Sequence, residues 1–500
     1  MKDNAARAME AARERDAEIT RLGHIAAALE WDQETYMPDA ATGERAAQIA
    51  LLAGLHHDKA SSSEWGGLLA DLDAAAEGEV DRAFLREAHK RWEKKTKVPK
   101  DLAVELARSA SLAQSAWAKA RKENDFSAFA PHLEGLLGLQ RRYAEAVDPE
   151  ADAYDVLLDE YEPGATGAEV AEVFDGLAAG LDRLLSAIRG GTPPRADFLA
   201  RSYDVGKQDA FGRRIHEWMG FDTNRGRLDL SVHPFTTSLG ADDVRITTRY
   251  EASNVLSGLF SNIHEAGHGL YEQGYARDIR GSLLADGASL GIHESQSRFW
   301  ENVLGRSRAF WERWYHEFRA LFPGNLDGVD AQAFYRAVNL VEPSLIRVDA
   351  DEVTYSYHII IRFRLERALL SGDLPVADLP GAWNDAYSHL LGVSVPDDAD
   401  GCLQDVHWSA GLFGYFPTYA LGNLYAAQFT RAMESAVGPL ESRMEDDDAS
   451  AILGWLRQNI HAHGRTFLPG ELCRKVTGAP LDPRHFLEYL EGKYAGVYGF

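Results

Sequence analysis

The stretch Ser261-Asn-Ile-His-Glu-Ala-Gly-His-Gly-Leu-Tyr271 lies near the middle of a 500-residue chain and predicts a helix that binds a metal ion. It contains the pattern H-E-x-x-H, with histidines at His264 and His268 and a glutamate at Glu265. Residues four apart on a helix lie one turn apart on the same face, so both imidazoles can reach one zinc ion. Glu265 lies beside them, where it can remove a proton from a water that the metal activates.

The flanking residues support this helix, although two glycines within it do not. Apolar side chains recur at three- and four-residue spacing, as on the buried face of a helix, at Val255, Leu256, Leu259, Phe260, Ile263 and Leu270. Gly267 and Gly269 oppose a helix, because each costs about 1 kcal/mol relative to alanine in a helix interior. We interpret them as positions where a strand or a substrate comes close to the helix backbone.

A second stretch, Gly291-Ile-His-Glu-Ser-Gln-Ser-Arg-Phe-Trp-Glu-Asn302, predicts the helix that completes the metal site. A catalytic zinc site commonly has three protein ligands and one open position, and Glu294 is the predicted third ligand. The alternative is a pair of ordinary core or surface histidines, with Glu294 in a helix salt bridge to Arg298 four residues on. We predict one zinc ion per chain, for which Co²⁺ or Mn²⁺ could substitute.

The composition is that of a soluble globular protein. The hydrophobic fraction is 45% and the charged fraction 26%, and both are ordinary for such proteins. Cys402 and Cys473 are too few for a disulfide framework, and from the charged first residues and the lack of a long apolar stretch we expect neither a secretory leader nor a membrane span. We therefore expect a cytoplasmic protein.

The net charge disfavours two classes of partner. The chain has 77 acidic and 52 basic residues, which give a formal net charge of −25. Nucleic acids and anionic membranes would repel a surface of this charge. We therefore expect neither a nucleic-acid partner nor a membrane partner.

Helical patterns dominate the chain on both sides of the H-E-x-x-H stretch. The predicted helices are Asp3–Glu30, Asp81–Trp92, Lys100–Asn124, Phe129–Val147, Gly167–Arg189, Arg308–Leu321, Ala331–Leu340, Tyr357–Leu370, Gly381–Leu391, Leu421–Ala436 and Ser450–Ile460. Two β-branched, alternating segments, Leu228–Thr237 and Val244–Tyr250, predict a small antiparallel sheet beside the metal helix. An extended peptide can add a strand to such a sheet, which favours a peptidase. No linker is present, so residues 1–500 are predicted to form one large, mostly α domain.

Six motifs, in family order, resemble those of the carboxypeptidase Taq family of zinc metallocarboxypeptidases. They are His233-Pro-Phe235, Asp243-Val-Arg-Ile-Thr247, His264-Glu-Ala-Gly-His268, His293-Glu-Ser-Gln296, Ile346-Arg-Val-Asp-Ala-Asp351 and Gly401-Cys-Leu-Gln-Asp-Val-His-Trp408. Trp31–Pro38 and Asn459–Phe500 are also similar, so the resemblance covers nearly the whole chain. Six ordered motifs are far more specific than H-E-x-x-H alone.

The resemblance implies a mostly helical, single-domain fold with a deep active-site groove, and a homodimer. It implies that the protein removes C-terminal residues from peptides with a free C-terminus, with broad specificity but poor cleavage next to proline. It also implies that His264, His268 and Glu294 bind the metal and that Glu265 is the catalytic base.

Four further residues are candidates for substrate binding. Arg347 lies in a family motif, and an arginine fork recognises a free carboxylate through two parallel hydrogen bonds, although a surface ion pair explains such an arginine equally well. His407 could donate a hydrogen bond to an oxyanion, or it could be a core histidine. Tyr419 is a weaker candidate, because a tyrosine in such surroundings is more often a packed aromatic. His233, in the motif His233-Pro-Phe235, is also a weaker candidate.

Two other functions remain open on the sequence alone. A zinc oligopeptidase would use the same chemistry to cleave short peptides internally, and a peptide with an amidated C-terminus distinguishes the two enzymes. A metal-dependent binding protein without catalysis would lack Glu265 or the third ligand, and neither is missing here.

Overall fold

The computed structural model describes residues 2–72, 76–447 and 449–500, and within them it contains twenty α-helices and three β-strands. The helices are α1 (Lys2–Thr35), α2 (Thr42–Ala60), α3 (Ser63–Ala70), α4 (Glu79–Lys97), α5 (Lys100–Glu123), α6 (Phe126–Val147), α7 (Ala153–Leu158), α8 (Gly167–Gly190), α9 (Val205–Met219), α10 (Val255–Gln273), α11 (Leu290–Arg298), α12 (Arg308–Leu321), α13 (Ala331–Ala337), α14 (Tyr355–Ser371), α15 (Leu379–Leu390), α16 (Pro417–Val437), α17 (Leu440–Glu445), α18 (Ser450–Asn459), α19 (Pro469–Thr477) and α20 (Arg484–Tyr498). The strands are β1 (Gly226–Leu230), β2 (Thr236–Ser238) and β3 (Val244–Thr248). The predicted mostly α fold with a small sheet is confirmed.

The chain forms two compact units, each assembled from three segments. The first unit consists of Met1–Thr96, Arg195–Val338 and Ala426–Pro480, and it holds the sheet, α10 and α11. The second unit consists of Lys97–Pro194, Asn339–Tyr425 and Leu481–Phe500. The single domain over residues 1–500 and the deep groove stay predictions. In the described parts of the chain, no helix combines the length and the apolar character that crossing a membrane requires.

The three strands form one mixed sheet in the order β1-β3-β2. Strand β1 is parallel to β3, and β2 is antiparallel to it, so the predicted purely antiparallel sheet is wrong. The predicted single strand Leu228–Thr237 is two strands separated by a turn. The turn contains Pro234, which has no N–H to give to a ladder, and the Thr247 hydroxyl closes it by accepting the Phe235 N–H at 2.9 Å.

Helix α10, which carries the H-E-x-x-H pattern, begins at Asn254, whose side chain accepts the Ser257 N–H. Gly267 and Gly269 of this helix are points where neighbouring elements come close to its backbone. A Cβ at Gly269 would lie 2.8 Å from the Phe221 ring and 3.2 Å from Ile246 of β3, as expected for an approaching strand. A Cβ at Gly267 would lie 2.8 Å from the Gln296 carbonyl oxygen, so the element that approaches there is helix α11 rather than a strand.

Candidate metal centre

Helices α10 and α11 bring the three predicted metal ligands together. The ligand atoms of His264, His268 and Glu294 all lie within 4.8 Å of one another. Glu294 Oε2 is 3.6 Å from His264 Nε2 and 3.4 Å from His268 Nε2. A tetrahedral zinc site with bonds of ~2.0–2.1 Å separates neighbouring ligand atoms by about 3.3–3.4 Å, so both distances from Glu294 to the histidines suit a metal ion of this kind.

In both histidines, the ring nitrogen that faces away from this cluster, Nδ1, also has a hydrogen-bond partner. His264 Nδ1 lies 2.9 Å from Glu301 Oε2, so the carboxylate accepts a hydrogen from Nδ1 and leaves Nε2 as the donor for a metal. Glu301 lies in a π-helical turn, Phe299–Leu304, that follows α11 directly. Arg298 and Arg306 contact its two oxygens at 3.4 and 3.3 Å.

His268 has a different outer partner, which is a histidine rather than a carboxylate. His268 Nδ1 lies 2.6 Å from His293 Nδ1, and His293 Nε2 lies 2.8 Å from Glu272 Oε1. Because Glu272 can only accept, His293 donates from Nε2 and accepts at Nδ1 from His268. This arrangement again leaves Nε2 of His268 free of its proton and suited to a metal.

The pKa values of the two ligand histidines differ because their outer partners differ. Burial and the neighbouring His293 lower the pKa of His268 to about 3, so its imidazole is neutral, as a metal requires. Burial alone would lower the pKa of His264, but Glu294 and Glu301 outweigh it and raise that pKa. The carboxylates therefore surround His264 with negative charge, which favours a cation at its Nε2.

Glu294 is held in place by the residues that follow it on α11. Arg298 Nε donates to Glu294 Oε1 at 2.6 Å, and the Ser297 hydroxyl donates to Oε2 at 3.2 Å. Burial would raise the pKa of Glu294, but Arg298 and the two histidines hold it well below its ordinary value. The alternative salt bridge is therefore present, and it leaves the other oxygen of Glu294 facing the histidines, so the predicted role as a metal ligand stays open.

Glu265 is buried and makes one side-chain hydrogen bond, to strand β2. The Thr236 hydroxyl donates to Glu265 Oε2 at 2.6 Å. Burial raises the pKa of Glu265, against the opposing influence of His264 and this hydrogen bond. A carboxylate with a raised pKa is a stronger base at neutral pH than an exposed one, as general-base chemistry needs.

The second unit brings together three of the four predicted substrate-binding residues, Arg347, His407 and Tyr419. Arg347 is buried and donates from Nε and Nη2 to Asp405 Oδ1 at 3.0 and 2.9 Å, and from Nη1 to the Tyr355 hydroxyl at 3.2 Å. Its guanidinium lies over the Tyr419 ring, 5.0 Å from the centroid. The two nitrogens that would bind a substrate carboxylate in parallel therefore both donate to one oxygen of Asp405.

Two arginines share the Asp405 carboxylate. Arg362 Nε donates to Asp405 Oδ2 at 2.6 Å, while Arg347 binds the other oxygen. Burial would raise the pKa of Asp405, but both arginines hold it well below its ordinary value. Two cations against one anion leave this cluster with one positive charge in excess.

His407 is buried beside this cluster. Its Nε2 lies 3.3 Å from the Tyr419 hydroxyl, and among the described residues its Nδ1 has no hydrogen-bond partner. Burial lowers the pKa of His407 to about 4, so the ring is neutral at pH 7. A buried neutral imidazole with an unpaired nitrogen suits binding to a polar ligand more than it suits a core position.

His233, the fourth predicted substrate-binding residue, lies in the first unit on the turn between β1 and β2 and is exposed. Its carbonyl oxygen accepts the Ser231 hydroxyl at 2.6 Å. This turn leads directly into Thr236, which contacts Glu265. Its role in substrate binding stays a prediction.

Four residues that sequence reasoning gave no role support the centre: Thr236, Glu272, His293 and Glu301. Two signals were available, because Glu301 follows Glu294 by seven residues and Glu272 follows His268 by four, so each lies on the same helix face as its predecessor. The contacts of Thr236 and His293 come from the tertiary fold, since they join β2 and α11 to α10.

Comparisons with known proteins identify the family of the chain. The family model for carboxypeptidase Taq (M32) metallopeptidases matches residues 11–494. The chain is 44% identical to thermostable carboxypeptidase 1 of Thermus thermophilus, with 97% of each chain covered, and 36% identical to carboxypeptidase 1 of Bacillus subtilis, with 96% of each covered. The crystal structure of an M32 carboxypeptidase from Deinococcus radiodurans superposes with a TM-score of 0.96 at 43% identity, covering 99% of this chain and 100% of that one. The chain therefore belongs to the carboxypeptidase Taq (M32) family of metallopeptidases.

Proposed function

We propose that the protein is a metal-dependent carboxypeptidase that hydrolyses the C-terminal peptide bond of peptides. The observation that carries the proposal is the convergence of His264, His268 and Glu294 beside the buried carboxylate of Glu265. The names of the relatives support the same activity. Broad specificity with poor cleavage next to proline is part of the proposal and rests on the family resemblance.

His264, His268 and Glu294 hold the metal in this proposal. The bound metal supplies a Lewis acid that polarises the scissile carbonyl and makes water more acidic. Glu265 then accepts the proton of the attacking water and passes it to the leaving amine. Its hydrogen bond from Thr236 fixes one carboxylate oxygen, so the other is the oxygen that carries the proton. No covalent intermediate is required.

Substrate recognition is assigned to the second cluster. We infer that Arg347 binds the free C-terminal carboxylate of the peptide, using the excess positive charge that Arg347 and Arg362 leave over Asp405. His407 and Tyr419 are proposed as donors to the oxyanion, because a neutral imidazole and a hydroxyl can both donate. His233 is proposed as a weaker substrate contact on the turn before β2.

The identity of the metal, the assembly and the compartment complete the proposal. Two imidazoles and one carboxylate suit zinc, while cobalt and manganese accept the same donors. The expected assembly is a homodimer and the expected compartment is the cytoplasm. Analytical ultracentrifugation tests the dimer, and elemental analysis of protein purified without added metal tests the ion.

One experiment separates a carboxypeptidase from an oligopeptidase. The purified protein is loaded with zinc and incubated with peptides in pairs that differ only in a free or an amidated C-terminus, and the products are identified by mass. A carboxypeptidase releases single residues from the free peptides and leaves the amidated ones largely intact. Internal fragments from both members of each pair would support the oligopeptidase instead.

A further inference from the structure

The first unit contains a cavity of about 570 Å³ that the chemistry described above does not use. Its lining comes from helices α1, α2, α3 and α4, from Glu272 of α10, from strand β2 and from residues 282–286. Cavities of this volume are typical of sites for small ligands. The lining includes Thr236, whose hydroxyl donates a hydrogen bond to Glu265, so one residue of the cavity directly contacts the proposed general base.

Strand β2 gives a peptide a route from Glu265 into this cavity. The strand order places β2 at an edge of the sheet, where the described residues provide no strand partner on its outer side. An extended peptide can pair with such an edge through its backbone. Thr236, Thr237 and Ser238 all line the cavity, and at about 3.3 Å per residue they span roughly 7 Å. Side chains about two to four residues before the scissile bond would therefore reach the cavity.

The three carboxylates that line the cavity have partners of their own. Asp286 forms a salt bridge with Arg465 at 2.9 Å. Glu272 accepts from His293 at 2.8 Å and from the Tyr275 hydroxyl at 2.9 Å. Asp16 is buried and accepts the Leu283 N–H at 2.9 Å. These acids are therefore already occupied by groups of the protein.

Of the two cations of the cavity, Lys95 and Arg91, only Arg91 lies close to described carboxylates, which are those of Asp286, Glu87 and Asp16. Arg91 Nη2 lies 3.7 Å from Asp286, which Arg465 already binds more closely. Lys95 Nζ lies 3.3 Å from His56 Nδ1, and no described carboxylate forms an ion pair with it. Burial, followed by Lys95 and Arg91, lowers the pKa of His56 to about 4, so His56 is neutral. Burial and Arg91 also lower the pKa of Lys95, as expected for a cation that lacks a counter-charge.

We propose that this cavity binds an acidic side chain of the peptide substrate, located two to four residues before the scissile bond, through the ammonium of Lys95 and the guanidinium of Arg91. The inference rests on the proposed function, because it takes the peptide to pass Glu265 and follow β2. The contact forms in the ground state and in the transition state alike, so it changes KM rather than kcat.

The test uses peptides that carry Glu, Gln or Lys at the second, third or fourth residue before the scissile bond and are otherwise identical. The zinc-loaded parent should hydrolyse the best-placed Glu peptide with a kcat/KM about fivefold above its Gln counterpart, the scale of a partly exposed ion pair. The Lys peptide should be the poorest. Raising the ionic strength to about 0.5 M should shrink the Glu preference, because salt screens such a pair.

Lys95→Met should remove the preference for Glu over Gln, and Lys95→Glu should reverse it in favour of the Lys peptide. Lys122→Met is the matched control, because Lys122 is an exposed lysine near the end of α5 and lies outside this cavity. It should keep the preference of the parent. Equal hydrolysis of Glu and Gln peptides by the parent, or an equal loss on all peptides in Lys95→Met, would overturn the proposal.

Calorimetric binding of the same peptides separates this proposal from the proposed function. If no peptide is hydrolysed but the Glu peptide binds more tightly in a Lys95-dependent way, the carboxypeptidase assignment fails and the subsite stands. If all the peptides are hydrolysed and bound equally, the subsite fails and the carboxypeptidase assignment stands.

Discussion

Glu265 is the residue whose replacement most directly tests the chemistry. Glu265→Gln keeps the shape of the side chain and can still accept the Thr236 hydroxyl, but it cannot take up a proton. We expect kcat to fall roughly 10²-fold or more, the usual size of a lost general base. Bound metal, measured by elemental analysis, should be unchanged. Loss of the metal instead would identify Glu265 as a ligand and remove Glu294 from that role.

Glu301 tests the outer partners of the metal ligands. Its carboxylate fixes the tautomer of His264 through Nδ1, so Glu301→Gln should weaken metal binding about 10- to 100-fold, as other outer-shell replacements do. Competition with a chromogenic chelator measures this affinity without an activity assay. Glu312→Gln, an exposed glutamate on α12, is the control and should bind metal as the parent does. Unchanged affinity in Glu301→Gln would mean that Glu301 only balances the charges of its arginines.

Arg347 tests recognition of the C-terminus. Since Asp405 holds Nε and Nη2, a substrate carboxylate would meet Nη1, the nitrogen that donates to Tyr355. Arg347→Ala should cost roughly 2–5 kcal/mol in kcat/KM on peptides with a free C-terminus, the scale for truncating a buried charge pair. Amidated peptides, already poor for the parent, should be hardly affected.

Arg364→Ala provides the control for Arg347→Ala, because Arg364 makes only an exposed ion pair with Asp175 on the same unit. It should leave both classes of peptide unaffected. Equal losses on free and amidated peptides in Arg347→Ala would mean that Arg347 supports the fold through Asp405.

At the residue scale, contacts within one helix can be predicted from the spacing of residues in the sequence, whereas contacts between packed elements cannot. His264 and His268 lie four residues apart on one helix, so their convergence follows from helix geometry. His293 was inside a recognised motif, yet its contact with His268 depends on the packing of α11 against α10. No spacing rule gives the contact between Thr236 and Glu265, which joins a strand to a helix.

At the element scale, the close approach of α10 and α11 depends on one glycine. A methyl group at Gly267 would lie 2.8 Å from the Gln296 carbonyl oxygen and 2.8 Å from Ser297 Cα, both of them backbone atoms. Gly267→Ala should therefore force the helices apart, with a loss of about 1–3 kcal/mol of stability. Because α11 carries Glu294, metal affinity should also fall.

Thermal and chemical unfolding measure the stability change, and chelator competition measures the affinity. Gly454→Ala on α18 is the control, since nothing lies within 4 Å of the added Cβ. That change should stabilise the protein by about 0.4–1 kcal/mol. A Gly267→Ala variant as stable as Gly454→Ala would show that the two helices can separate at little cost.

The elements were predicted best where capping residues reinforce the apolar pattern. Helix α12 spans Arg308–Leu321 as predicted, and its N-cap Ser307 accepts the Phe310 N–H. Helix α2 was not predicted, because its apolar pattern is weak. Ala60 is the one residue of this helix that is buried among those described. The pairing of the sheet was mispredicted because an alternating pattern indicates that a segment is a strand but not which strand it pairs with. In the structure, β3 lies between β1 and β2.

At the scale of the whole molecule, the metal centre is expected to be preformed rather than folded by its metal. Glu294 and Glu301 already have Arg298 as a counter-charge, and both ligand histidines already have hydrogen-bond partners. Removing the metal therefore leaves Glu294 and Glu301 paired with Arg298, unlike a small zinc-dependent domain whose folding energy comes from the ion. A chain of 500 residues also has an extensive core that is independent of the site.

Chelation should therefore abolish hydrolysis while far-ultraviolet circular dichroism stays unchanged at 25 °C. Readdition of zinc or cobalt should restore activity without a refolding step. A metal ion at 100 times its Kd stabilises the folded state by about 2.7 kcal/mol, so the chelated protein should have a Tm only a few degrees lower. Full activity after verified metal removal would contradict the metal-dependent mechanism. Unfolding on chelation would instead show that the balance of charge between Arg298, Glu294 and Glu301 cannot hold α10 and α11 together without the ion.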